Sequence, residues 1–240
     1  MISLVCLDMA GTTVDDGGVV LDAFRTALTD VGLEHGSSEH DRAVQYAVDT
    51  MGQSKIAVFT ALFDGDGVRA EAANTAFERA YARTLDRGVR PVDGAVETLV
   101  ALRAAGRRIA LTTGFSPTTR DAVLDLLGWR PLIDLALSPA DAGRGRPYPD
   151  MVLTAVLRTG TDDVRDVAVV GDTVADLLTG HRAGASVVAG VRTGTHQDVD
   201  FATVAHTHVL DSVAELPSVL AEVDADADAD ADTDTDTARV

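Results

Sequence analysis

Residues 2–7, ISLVCL, form an unbroken apolar run that stops abruptly at Asp8. A run this short has no polar face, so it suits a strand covered on both sides, as in parallel sheets. The pattern returns downstream. RIAL leads into Thr112-Thr113-Gly114, DVAVVG into Asp172-Thr173, and SVVAGV into a glycine-rich loop. Between these runs lie AVETLVALRAAG, PTTRDAVLDLLG, MVLTAVLRTG and VADLLTGHRAGA, which have helical spacing and are in part opened by Pro or closed by Gly. Strands alternating with helices of this length predict an α/β fold with a parallel sheet, which right-handed crossovers make doubly wound. Its site then belongs at the C-terminal ends of the strands.

Residues 17–90 break the alternation. VVLDAFRTALTDVGL, AVQYAVDTMG, SKIAVFTALF and RAEAANTAFERAYARTLDRG all have helical character, and no strand-like run separates them. The expectation is an all-helical insertion, leaving 1–16 and 91–223 as a discontinuous core. Residues 224–240 alternate Asp with Ala or Thr, and their low complexity and charge predict disorder.

The formal net charge of −18 argues against nucleic acid or an anionic membrane surface as partner. Acidity spread through the folded part also fits a protein kept hydrated by surface carboxylates at high salt. No apolar run approaches the roughly 20 residues that span a bilayer. Cys6 is the only cysteine and MISLVCLDMAG lacks a basic start, so a cytoplasmic location is expected. Of the twenty basic residues nineteen are Arg, and Lys55 is the only lysine.

Four polar groups fall where apolar strands or loops end: Asp8, Thr113-Gly114, Arg146 in GRGRPYPD, and Asp172. Phosphoryl transfer uses such a set: an anionic nucleophile, hydroxyl and amide donors, a cation for the phosphate, and hard oxygens for Mg²⁺. Each alone reads equally well as structure, GDT for instance as a helix cap. Their joint occurrence at successive strand ends is what points to a site.

The ordered set DMAGTTVD, LTTGF, GRGRPYPDM and VVGDTVADLLTGHRAG resembles the four motifs of the haloacid dehalogenase-like (HAD) hydrolase superfamily. The resemblance covers residues 1 to about 220 and places 17–90 where the family carries its helical C1 cap. It implies a Rossmann-like core and Asp8 as a nucleophile that becomes a phospho-aspartate. Gly11, Thr12, Thr113, Gly114 and Arg146 would bind substrate phosphate. Asp8, Asp172 and the Ala10 carbonyl would hold Mg²⁺, and Asp176 would support the site.

Phosphatases of this superfamily carry an acid two residues after the nucleophile, and this chain has Ala10. Ala within D-x-A-G-T-T resembles the phosphonatase (phosphonoacetaldehyde hydrolase) subgroup. GRPYP and the insert element MGQSK, residues 51–55, are similar to that subgroup too. The resemblance implies that Met51 adjoins the substrate and that Lys55 forms a Schiff base with an aldehyde. Two positions depart from it: Val58 stands where that subgroup usually has His, and Phe115 where it tends to have Tyr. A Mg²⁺-dependent phosphatase for small phosphate monoesters and a non-catalytic phosphate-binding module are the alternatives. The expected partner is a small phosphonate or phosphate, with a homodimer left open.

Lesser motifs read as structure. FDGDGV lacks the later acids of a calcium loop and predicts a turn. His206 and His208 alternate along a terminal strand, and GVRTGTH could line the site.

Overall fold

The computed structural model describes residues 1–237. The chain opens with β1 (Leu4–Asp8) and β2 (Val14–Asp15). A helical insert follows: α1 (Val19–Asp30), α2 (Ser38–Asp49), α3 (Lys55–Leu62), α4 (Gly67–Ala82) and α5 (Leu85–Gly88). Then come β3 (Arg90–Pro91), α6 (Ala95–Ala104), β4 (Arg108–Thr112), α7 (Pro117–Leu127), β5 (Leu135–Leu137), α8 (Pro139–Ala142) and α9 (Asp150–Thr159). The chain ends with β6 (Val167–Gly171), α10 (Val174–Ala183), β7 (Val187–Val191), α11 (Asp198–Phe201), β8 (His208–Leu210) and α12 (Leu216–Thr237).

Six strands form one parallel sheet in the order β5-β4-β1-β6-β7-β8. Strands are added on one side of β1 and then on the other, so the switch point lies beside β1. The unbroken apolar run of β1 follows from its place between β4 and β6, with both faces covered. Leu4 and Cys6 pack with Met151, Val152 and Ala155 of α9. Val5 and Leu7 join the larger cluster with Leu99 and Leu102 of α6 and Val123 and Leu124 of α7. Burial pushes the pKa of the Cys6 thiol up to about 12, so it acts as a small apolar side chain.

The same large cluster runs into the insert. Phe24 of α1 stacks on Phe59 of α3, ring centroids 4.4 Å apart, and meets Phe77 of α4 edge-on at 6.0 Å. Phe77 stacks on Tyr81, and Tyr81 lies 4.9 Å from Phe115, in the loop that follows β4. In a chain with few aromatics, five of them join the insert to the loop after β4.

Two features lie beyond the sequence pattern. β2 and β3 pair antiparallel, Val14 with Pro91 and Asp15 with Arg90, where the chain leaves and re-enters the core. Two-residue strands have no period to read. α12 continues to Thr237, through most of the stretch for which composition predicts disorder. Alanine at alternate positions is the strongest helix former, and Asp224 is drawn into the fold. It accepts the Ile2 amide at 2.7 Å and pairs with Arg107 at 2.8 Å. The same expectation for 238–240 lies outside the described residues. FDGDGV is a turn, with Asp66 capping α4. Among the described residues no helix is long and apolar enough to cross a membrane.

Candidate active site

The C-terminal ends of β1, β4 and β6 converge with the loop before α9 and the α2–α3 loop of the insert around a cavity of about 350 Å³. Asp8 closes β1, and the chain then turns sharply. The amides of Thr12, Thr13 and Val14 all donate to the Met9 carbonyl, and the Thr13 hydroxyl donates to the Asp8 carbonyl at 2.8 Å. Gly11 is required in this turn twice over. Its φ is +88°, and a Cβ there would lie 2.4 Å from Asp172 Oδ2. Thr193 donates to the Gly11 carbonyl at 2.6 Å, and the Thr195 amide donates to Asp172 Oδ2 at 2.7 Å. The glycine-rich loop after β7 therefore does border the site.

Arg146 is 5% exposed and bridges two acids. Its Nη2 lies 2.8 Å from Asp8 Oδ1, and its Nη1 bonds Asp176. Asp176 is fixed in turn by a reciprocal capping box with Thr173 at the start of α10. Arg146 is thus held from behind by one carboxylate while facing the other.

Asp8, Asp172 and Asp176 are all buried, with one carboxylate oxygen from each lying within 4.8 Å of the others. Burial pushes the Asp8 carboxyl up to about 6 against the opposing pull of Arg146. Burial, followed by the neighbouring Asp8, pushes Asp172 well above the usual carboxylate range. One guanidinium does not balance three acids, and Asp172 Oδ1 is buried with no hydrogen-bond partner. The donor set fits a hard divalent cation, which would stabilise the ionised carboxylates.

The insert supplies the opposite wall. Ser54 caps α3 and Lys55 is its first residue, 8% exposed. Among the described residues Lys55 Nζ has no hydrogen bond or ion pair, and it lies 5.8 Å from the centroid of the Phe115 ring. Burial lowers its pKa to about 8, and Arg146 adds to the effect. The positive end of the α3 dipole acts in the same sense.

Asp8, Ala10, Gly11, Met51, Lys55, Thr113, Gly114, Arg146 and Asp172 share the cavity wall. Thr12 lies beneath the turn, fully buried and off that wall, and Asp176 sits behind Arg146. Val58 is buried in the apolar core of the insert, and Phe115 reaches the cavity. Asp16 and Thr173 also line it and were not singled out from sequence. The second acid of VDD was the only signal for Asp16. His206 and His208 bond locally, to the Val204 carbonyl and the Thr207 hydroxyl, and take no part in the cavity.

Gly52 marks where the insert meets the core. Its φ is +89°, and a Cβ would lie 2.5 Å from Thr173 Oγ1. A Cβ on Gly114 would in turn lie 2.5 Å from the Gln53 carbonyl oxygen. Gly52→Ala should therefore cost about 1–2 kcal/mol of stability from backbone strain. It should lower kcat/KM on the best substrate roughly 10–100-fold by holding the insert away from the core. Urea unfolding and steady-state kinetics measure the two effects separately.

The haloacid dehalogenase-like hydrolase family model matches residues 2–184, and the chain belongs to that family. It is 29% identical to the probable phosphatase IndB of Dickeya dadantii over 219 residues, covering 89% of this chain and 91% of that protein. It is 29% identical to a phosphonoacetaldehyde hydrolase of Klebsiella pneumoniae over 264 residues, covering 93% of this chain and 96% of that one. A solved hydrolase from Pseudomonas syringae superposes with a TM-score of 0.80 at 21% identity, over 93% of this chain and 99% of that chain. The protein is therefore a haloacid dehalogenase-like hydrolase, similar to proteins named as a phosphatase and a phosphonoacetaldehyde hydrolase.

Proposed function

We propose that this hydrolase cleaves the P–C bond of a small phosphonate aldehyde of the phosphonoacetaldehyde type, with Asp8 as nucleophile and Lys55 as Schiff-base residue. The observation that carries the reading is Lys55 itself. The single lysine of the chain is buried in the cavity that holds Asp8, without a hydrogen-bonding or ionic partner among the described residues, and its pKa is lowered to about 8. Ala10 supplies no acid to protonate a leaving oxygen.

The chemistry then balances as follows. Neutral Lys55 Nζ adds to the aldehyde carbon, one proton is taken up from solvent and water departs, giving a protonated imine. An Asp8 carboxylate oxygen attacks phosphorus in line while the P–C bond breaks. The electron pair of that bond moves into a new C=C bond and neutralises the iminium nitrogen, leaving an enamine. Protonation on carbon and hydrolysis of the resulting imine release the aldehyde and regenerate the amine. Water attack on phosphorus of the phospho-aspartate releases inorganic phosphate and restores Asp8. Arg146, anchored by Asp176, and the Thr113–Gly114 loop orient the phosphonate oxygens. Asp8, Asp172 and the Ala10 carbonyl would hold Mg²⁺, whose role is to offset the charge on those oxygens.

Lys55 sets the acid limb of the pH profile, because only the neutral amine attacks. With a pKa near 8, about a tenth of the amine is neutral at pH 7, roughly 200-fold more than for an unperturbed lysine. The expected kcat/KM for phosphonoacetaldehyde rises about tenfold per pH unit between about pH 6 and 7, falls more steeply below 6 where Asp8 also takes up a proton, and levels off above about 8–9. A profile still climbing steeply at pH 10 would show an unperturbed amine.

The second reading, a phosphatase for phosphate monoesters with good leaving groups, draws on Val58 and Phe115, which place no proton-transferring group beside Lys55. The deciding assay compares release of inorganic phosphate from phosphonoacetaldehyde and from p-nitrophenyl phosphate with Mg²⁺ present. Matching release of acetaldehyde and phosphate from the phosphonate supports P–C cleavage. Turnover of the ester alone, retained in Lys55→Arg, supports the phosphatase.

A further inference from the structure

The helices of the insert meet the core mainly through apolar and backbone packing. Apart from bonds where the chain leaves and re-enters the core, at residues 15–20 and at Arg90, which bonds Asp15, a single cluster among the described residues links them by side-chain hydrogen bonds. Glu78, on α4, accepts hydrogen bonds through Oε2 from Ser116 Oγ at 2.7 Å and from Thr119 Oγ1. Ser116 is the N-cap of the eleven-residue helix α7, and its hydroxyl also accepts the Thr119 amide. The Glu78 carboxylate therefore lies at the positive end of α7, where a negative charge is favoured. Thr119 is 4% exposed while Glu78 and Ser116 are half-buried, so the contact is partly shielded from water.

The place of this contact gives it a consequence for the site. α7 begins directly after Thr113-Gly114-Phe115, so whatever ties α4 to α7 ties the insert to the loop facing Asp8. On the insert side, Phe77 and Tyr81 flank Glu78 in sequence on α4, and Tyr81 lies against Phe115. A second cavity of about 130 Å³ runs along the same seam. It is walled by Lys55, Asn74 and Glu78 from the insert and by Phe115, Ser116 and Pro139 from the core. Lys55 thus sits between the reactive cavity and the seam that Glu78 closes.

We infer that Glu78 is a positioning residue: its bonds to Ser116 and Thr119 latch the helical insert onto the core and keep Lys55 enclosed beside Asp8. The Gly52 and Gly114 approaches are short-range packing that forms only once the insert is seated. The latch supplies a directional polar contact that fixes how it seats. Release of the latch opens the seam and admits solvent to Lys55 while the apolar core of the insert stays intact.

Because Lys55 is the only lysine, its exposure can be read directly. The purified full chain is treated at pH 9 with a small amine-acylating reagent, and labelling of the Lys55 peptide is followed by mass spectrometry. Glu78→Ala should speed labelling by about tenfold to a hundredfold, the range expected for losing hydrogen bonds to a carboxylate. The urea midpoint should stay near that of the parent, separating local opening from global unfolding. Thr119→Val should speed labelling in the same direction, and the double variant should label little faster than Glu78→Ala alone, because the partner is already gone. Glu78→Gln keeps an acceptor oxygen and should restore most of the protection. Labelling that is unchanged in Glu78→Ala, or that rises only in step with loss of global stability, would overturn the latch. Neither outcome depends on which bond the enzyme cleaves.

Discussion

Asp8→Asn is expected to lower turnover of every phosphonate or phosphate substrate by at least about 10⁴-fold, the scale on which removing a nucleophile acts. Asn is nearly the same size, so the loss is chemical rather than a failure of packing. The substitution removes the oxyanion proposed to attack phosphorus and one negative charge from a cluster of three acids that faces one guanidinium. It also relieves the burial of a carboxylate whose pKa has been pushed up to about 6, so the variant should unfold at a similar or higher urea concentration than the parent. Loss of activity with retained stability is the signature of a functional acid. Trapping under acid quench should show phosphate on Asp8 in the parent and none in Asp8→Asn. Equal turnover by the two proteins would rule out the proposed phospho-aspartate.

Lys55→Arg should abolish P–C cleavage by about 10³-fold or more, because the guanidinium stays protonated and cannot form an imine. Without an iminium the departing group is a carbanion, and nothing else in the cavity accepts that electron pair. The same variant should retain any hydrolysis of activated phosphate esters within a few fold, since Asp8, Arg146 and Asp172 are untouched. This split between substrates distinguishes a lysine that reacts from one that only packs. Loss of both activities together would assign Lys55 to holding the insert or the phosphate in place.

Much of the fold was legible because the apolar runs are unambiguous. ISLVCL and DVAVVG have no polar face, and burial on both sides of a parallel sheet is the arrangement that accommodates them. The helices of the insert were legible from their spacing, which places Phe24, Phe59 and Phe77 inward. What the sequence did not display depends on distance in space rather than on local pattern. Asp16 reads as one more acid in a turn until the cavity forms around it. Glu78 reads as a solvated helix residue until α4 meets Ser116 and Thr119, 38 and 41 positions away. Gly52 reads as a helix stop, and its close approach to Thr173 exists only in the folded molecule. Asp224 was assigned to the tail by composition, whereas Arg107 and the Ile2 amide bring it into the fold.

The site shows the same division. The strand ends carried Asp8, Thr113 and Asp172 in their motifs, but Arg146 acquires its orientation from Asp176, thirty residues away. The lowered pKa of Lys55 is likewise a tertiary effect, produced chiefly by burial and then by Arg146. Composition supplied a different clue: a chain that writes nineteen of twenty basic residues as Arg keeps one primary amine on a side chain, and it lies in the cavity with Asp8.

The most direct measurement is reductive trapping. The protein is incubated with phosphonoacetaldehyde and Mg²⁺, treated with borohydride, digested and analysed by mass spectrometry. The proposed mechanism predicts a reduced covalent adduct on the Lys55 peptide, formed in step with loss of activity and absent from Lys55→Arg. Full turnover of phosphonoacetaldehyde with Lys55 unmodified, or an active Lys55→Arg enzyme on that substrate, would contradict it.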